Sequence, residues 1–211
     1  MLSKNNTMNQ DELAMEHESC HNISKTLYNK GDFDGAFKQT ERALAVEEEM
    51  VPNSLALPVS YNNIGLVLYD KGDFDGALEQ YQRALAIQEV KAPNSLDVAQ
   101  VYNNIGIVMG DKGDLDGALE QYERALAIHE DKAPHSLALA VSYNDIWTLL
   151  HQNGDLDGAL EQYKRALAIQ QIKAPNSLDL AVLYNNIGSV LTGKSDLDGA
   201  LEQFQRAKVN R

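Results

Sequence analysis

A single cysteine, Cys20, in 211 residues leaves no internal disulfide framework and fits a reducing compartment. No window approaches the roughly 18 continuous apolar residues of a membrane-spanning helix. The opening MLSKNNTMNQDEL lacks the apolar run of a secretory signal, so the glycosylation sequons at Asn5 and Asn22 carry no weight. The expectation is a soluble, cytoplasmic protein. Positive charge is scarce: 18 Lys and Arg stand against 31 Asp and Glu, a net charge of −13. Phosphate binding rests on clustered cations, so nucleic acid and anionic membrane surfaces are disfavoured and a neutral or basic protein partner is favoured. No segment alternates with period two over the length of a strand, which predicts no sheet. Phosphate-cradling glycine loops and nucleophile elbows are missing, and the Gly-Asp-Leu-Asp-Gly strings lack the spacing of a calcium loop.

What is present is a repeat. The core Gly-Asp-Leu/Phe-Asp-Gly-Ala begins at Gly31, Gly72, Gly113 and Gly154, and again at Ser195, each step being 41 residues. Pro52, Pro93, Pro134 and Pro175 step by the same 41. A fixed period of this size marks a repeat array, whose core runs through every neighbour contact. Residues 1–10 are read as a disordered end. A single array then fills 11–211, with repeats at about 11–50, 51–91, 92–132, 133–173 and 174–211.

Within the third repeat, Val98, Val101, Tyr102, Ile105, Val108 and Met109 recur at spacings of three and four, one apolar face of a helix over Leu96 to Lys112. Ser95 is its expected N-cap, and Gly113 its expected left-handed end. A second helix, from Leu115 to about Glu130, starts at Asp114 and buries Ala118, Leu119, Tyr122, Ala125 and Leu126. Gly106 and Ala118 leave room for close helix approach, and Tyr102 and Tyr122 fill the space beside them. The prediction is all-α, a right-handed superhelical solenoid of five helical hairpins.

Tyr102-x2-Ile105-Gly106-x2-Met109 followed by Ala118-x3-Tyr122-x2-Ala125 resembles the tetratricopeptide repeat, whose usual period is about 34 residues. The longer unit, with Tyr-Asn-Asn-Ile-Gly, Gly-Asp and Arg-Ala-Leu-Ala-Ile, most resembles the kinesin light-chain type of that repeat. The resemblance implies a peptide-binding groove lined by the first helix of each repeat. Carried over by position, it presents Val59, Asn62, Asn63, Leu66 and Tyr69, then Gln100, Asn103, Asn104, Ile107 and Asp111. The fourth repeat gives Val141, Asn144, Asp145, Thr148 and His151, and the fifth Asn185, Asn186 and Ser189. An amide side chain offers both donor and acceptor, so a row of asparagines can pair with a peptide backbone whatever its side chains. The alternative is that the second Asn of each pair braces neighbouring helices. The cations with which some of these repeats grip a C-terminal carboxylate are absent but for Lys25.

Several positions depart from the pattern. In the fourth repeat Asp145 replaces Asn, suited to a basic ligand side chain, and Trp147 replaces Gly, lining a pocket or filling a void. Lys208 and Asn210 stand where earlier repeats have Leu and Ile, while Cys20, Thr40 and Ser24 replace two tyrosines and a glycine. Both ends look like caps, and the alternative is open ends that associate with another copy or a larger assembly. His17-Glu18-Ser19-Cys20-His21 fits the His-Glu-x-x-His spacing of zinc hydrolases. It sits in a repeat hairpin without an obvious third ligand, so no catalytic residue, metal or cofactor is assigned. A non-catalytic protein- or peptide-binding scaffold or adaptor is the primary reading, ahead of self-association through the array ends and of zinc hydrolysis. The hydrolase reading requires stoichiometric zinc, and elemental analysis finding none removes it.

Overall fold

The computed structural model describes residues 10–50 and 57–210, which form ten α-helices and, among those residues, no strand. The N-terminal residues 1–9 with the Asn5 sequon, the connection holding Pro52, and Arg211 lie outside the described residues. Each repeat contributes two helices: α1 (Gln10–Asn29) and α2 (Phe33–Met50), α3 (Leu57–Asp70) and α4 (Phe74–Lys91), α5 (Leu96–Asp111) and α6 (Leu115–Lys132), α7 (Leu137–Gln152) and α8 (Leu156–Lys173), α9 (Leu178–Gly193) and α10 (Leu197–Val209). Helix α1 thus begins at Gln10, one residue inside the stretch expected to be disordered. The helices form two compact units, Met1–Pro93 with α1–α4 and Asn94–Arg211 with α5–α10. Within each unit every helix packs on its neighbours in chain order.

Local sequence sets the helix ends. Ser95, Ser136 and Ser177 cap α5, α7 and α9, each hydroxyl accepting from a backbone N–H three residues on, at 3.3, 3.1 and 3.1 Å. Asp73, Asp114, Asp155 and Asp196 cap α4, α6, α8 and α10 in the same way, each at 3.0 Å from a glycine N–H. Between the two helices of the third repeat, Gly113 adopts φ 85°. Asp114 N–H returns to Met109 O and Gly113 N–H to Gly110 O, both at 2.9 Å, which satisfies the last carbonyls of α5. The fifth repeat performs this turn with Ser195 at φ 64°, a conformation that costs an L-residue about 1–2 kcal/mol.

The two helices of a hairpin meet where a ring lies flat on a glycine. A Cβ added to Gly65 would sit 2.5 Å from the Tyr81 ring, one on Gly106 2.7 Å from Tyr122, and one on Gly188 2.7 Å from Phe204. The other two repeats solve the same contact differently. In the first, the buried Ser24 and Thr40 hydroxyls meet at 2.6 Å. In the fourth, Trp147 takes the glycine's place and stacks on Tyr163 at 4.2 Å between ring centroids. It belongs to the core cluster there, so the indole fills space and does not open it.

Within each unit, successive hairpins are stitched by a tyrosine on the later hairpin's first helix. Tyr61 donates to Glu48 and Tyr143 to Glu130, each at 2.7 Å, while Tyr184 accepts from Gln171 at 2.8 Å. Within each of those hairpins, Arg83, Arg165 and Arg206 of the second helix lie over the same three rings at 5.9, 5.9 and 6.0 Å. Beside this stitch, buried His129 shares a 2.7 Å hydrogen bond with Ser142, and burial holds its imidazole below the ordinary histidine pKa. At α10 the polar substitutions reach only the last turn. Lys208 is exposed, but Leu197, Leu201 and Phe204 remain 67%, 57% and 39% exposed, so the face stays apolar.

Gly106→Ala is expected to displace Tyr122 and to cost about 1–3 kcal/mol by overpacking. Gly113→Ala, at an open left-handed turn, is expected to cost about 1–2 kcal/mol. Urea midpoints together with hydrogen exchange across α5 and α6 check both. A Gly106→Ala protein as stable as wild type would mean that the ring-on-glycine contact does not limit packing.

Candidate protein-binding face

The odd-numbered helices bury the residues that face their hairpin partner and leave a second face open. On that face Val59, Val141 and Val182 are 53%, 54% and 47% exposed, and Leu66 and Ile107 are 39% and 38% exposed. Gln100, Asp111, His151 and Ser189 are exposed. Between them Asn62, Asn63, Asn103, Asn104, Asn144, Asp145, Asn185 and Asn186 are half-buried. Spacings of three and four place each helix's set on one side, because a helix turns once every 3.6 residues.

These residues do not converge on one cleft. Asn63 and Leu66 share a hollow of about 470 Å³ in the N-terminal unit with Lys25, Ser24 and Thr40. In the C-terminal unit, Gln100 and Asn103 line one of about 400 Å³ with His129 and Val141, and Asn144 lines another of about 240 Å³ with Leu137 and Val182. Ile107, Asp111, Asp145 and Thr148 line a fourth, of about 130 Å³, with Tyr122 and Leu149. Asn62, Tyr69, Asn104, His151, Asn185 and Asn186 line none of these four. Tyr69 instead packs its ring on Phe74 at 5.7 Å and His151 on Trp147 at 5.3 Å. The Thr148 hydroxyl donates to Asn144 O of its own helix, at 3.0 Å.

The paired asparagines have different surroundings. The first of the pair in α5, Asn103, has its Oδ1 buried without a hydrogen-bond partner among the described residues. The second of the pair in α9, Asn186, stands beside the buried Tyr163 hydroxyl of the preceding hairpin without completing a hydrogen bond. Burial pushes that phenol well above its ordinary pKa, and Asn186 pulls it back. The neighbour of Asn186 is thus a tyrosine of the previous repeat. Asp145 occupies the same position in α7, and burial alone raises its carboxyl from 3.8 to about 6.

Within the His-Glu-x-x-His string, His17 Nε2 lies 3.8 Å from Glu47 and Cys20 is buried in the core. No group of three or more His, Cys, Asp or Glu among the described residues is placed to hold a metal ion. No helix among them is long and apolar enough to cross a membrane. Residues that the sequence alone did not single out also line the hollows, notably Leu137, Ala140, Leu183 and Gly110. Gly110 was discoverable, since it stands in the slot of Tyr69 and His151.

Five helical hairpins in series, three of them closed by a ring on a glycine, define a helical-repeat solenoid. The tetratricopeptide repeat profile matches residues 17–89, 56–131, 97–172 and 139–208, and the chain belongs to that family. Its members serve generally as non-enzymatic scaffolds that bind proteins or peptides. BtubC (BKLC) from P. vanneervenii is similar in structure with a TM-score of 0.86 at 26% identity, over 96% of this chain and 82% of that one. A Podosopora anserina protein described as a kinesin light chain with nearly identical TPR-like repeats gives a TM-score of 0.79 at 14% identity, over 97% of both chains. MamA from Desulfovibrio magneticus RS-1 gives 0.69 at 18% identity, again over 97% of both. These last two show the fold alone. Comparison with curated protein sequences gives no match.

Asp145 yields a pH prediction. Its folded carboxyl holds a proton up to about 6, against 3.8 for a free carboxyl, so between those values the folded state binds more protons than the unfolded. Stability therefore falls as pH rises through this window and stays lower above it. Asp145→Asn cannot ionise and is expected to gain on the order of 2–3 kcal/mol at pH 7 and to lose this slope. Thermal denaturation from pH 4 to 7.5 measures both, and parallel curves for the two proteins would refute the assignment.

Proposed function

We propose that the chain is a non-catalytic scaffold or adaptor that holds an extended protein segment along the open face of its odd-numbered helices. The observation that carries this reading is that face itself: valine, leucine and isoleucine 38% to 54% exposed, alternating with half-buried amides. The asparagines Asn62, Asn63, Asn103, Asn104, Asn144, Asn185 and Asn186 read the partner's backbone, since an amide side chain offers both a donor and an acceptor. Leu66, Ile107 and Tyr69 supply apolar contact, while Gln100, Thr148 and His151 line its path. Asp111 and Asp145, within a net charge of −13, favour a neutral or basic segment. The compartment we infer is the cytoplasm.

One observation favours a second reading, self-association. The α10 face keeps Leu197, Leu201 and Phe204 open, where the corresponding Tyr81, Tyr122 and Tyr163 are buried.

A peptide array spanning acidic, neutral and basic extended sequences separates the two. Wild type is expected to bind neutral or basic peptides, and Asn63→Ala/Asn104→Ala/Asn186→Ala to lose this binding while remaining folded by thermal denaturation. Equal binding by both proteins sinks the asparagine mechanism. No binding, with concentration-dependent dimers in sedimentation, moves self-association to first place.

A further inference from the structure

The 130 Å³ hollow in the C-terminal unit has an origin that can be traced to two residues. At the next-to-last position of the first helix, the second and fourth repeats carry Tyr69 and His151, both with rings packed on a neighbouring ring. The third repeat has Gly110, and a Cβ built there would meet nothing closer than Leu149 at 3.6 Å and Ala118 at 3.9 Å. The hollow exists because that side chain is missing. In the next repeat the half-buried amide position is Asp145, which lines the same hollow. Two departures from the repeat thus fall together: one removes a ring, and the other places a carboxyl at the space it leaves.

The walls are of mixed character. Ile107, Leu149 and the Tyr122 ring supply apolar and aromatic surface, and Thr148 and Gln152 add polar groups at the same hollow. Burial is the sole influence on the Asp145 carboxyl, with no neighbouring cation or donor acting to stabilise its charge. A hollow whose mixed lining includes Ile107, Leu149 and a desolvated carboxyl suits a side chain with a hydrocarbon stem and a cationic head. A neutral apolar side chain would leave the carboxyl without a partner, and an anion would be repelled by it.

We propose that this hollow is an anchoring pocket for one lysine or arginine side chain of a bound partner, with Asp145 as the counter-charge and Gly110 as the opening. The proposal rests on the protein-binding reading of the same face and narrows it, since it fixes where along the groove a basic residue must fall. Arg and Lys differ in their demands, one spreading charge over a planar fork and the other concentrating it, so the pocket is expected to rank them.

The test uses the full-length chain and single blocked amino acids, so that it does not depend on any peptide binding. Nα-acetyl-lysine methylamide and Nα-acetyl-arginine methylamide are titrated at pH 7.5 against the ¹³C-methyl signals of Ile107, Thr148 and Leu149. The neutral controls are the norleucine and citrulline analogues. A saturable shift for at least one cationic probe is expected, together with none for its neutral analogue. Asp145→Asn, which keeps the shape and removes the charge, and Gly110→Tyr, which restores the second repeat's residue, are each expected to abolish it. Equal responses to cationic and neutral probes, no response to either cation, or a response that survives Asp145→Asn overturns the pocket. Such a result leaves the peptide-array outcome untouched, and a failed array leaves this titration decisive.

Discussion

The contact on which the other interactions depend is an aromatic ring laid on a bare backbone. Tyr81 on Gly65, Tyr122 on Gly106 and Phe204 on Gly188 set how closely the two helices of a hairpin approach. That distance fixes where the apolar stripes of the first helix face their partner, and so which side of that helix is left free. Dispersion between many atoms at contact distance falls steeply with small gaps, so the arrangement tolerates little change in volume. The first and fourth repeats give up the glycine and supply a substitute of matched reach: two hydroxyls in one and stacked rings in the other.

Cohesion between hairpins combines two kinds of contact. Buried apolar clusters run from one hairpin to the next, Tyr122 with Ile146 and Leu149 and Tyr163 with Leu183 and Ile187, and beside them Tyr61, Tyr143 and Tyr184 hydrogen-bond to the preceding helix. The hydroxyl contacts lie partly in solvent, where each is worth well under the burial of a core side chain, so most of the cohesion between neighbours is apolar. Such nearest-neighbour burial is what sums to stability in a repeat chain.

Much of the fold was legible because the same short-range chemistry is written five times. Ser95 and Asp114 as caps, Gly113 as the left-handed turn and Tyr122 against Gly106 were each readable from spacing. The surface was less legible. Sequence register put each first helix's asparagines on one side of that helix but could not say that Asn63, Asn103, Asn144 and Asp145 would fall into four separate hollows, since these depend on side chains from adjacent hairpins. Nor could it reveal that Asn186 meets a tyrosine hydroxyl, or that Lys208 leaves the apolar residues earlier in α10 uncovered. Both depend on distances between elements, which local pattern does not encode.

Near-identical hairpins carry a hazard during folding, since an even-numbered helix finds several first helices of almost equal fit. Thr40 and Trp147 make two pairings unmistakable. Thr40 set beneath Gly65 would leave a void where a tyrosine ring belongs, and Tyr122 brought against Trp147 would have to give up the flat seat it has on Gly106. The irregular repeats thus act as register marks, making misaligned pairings worse than the correct one in a chain that otherwise has little to tell its own repeats apart.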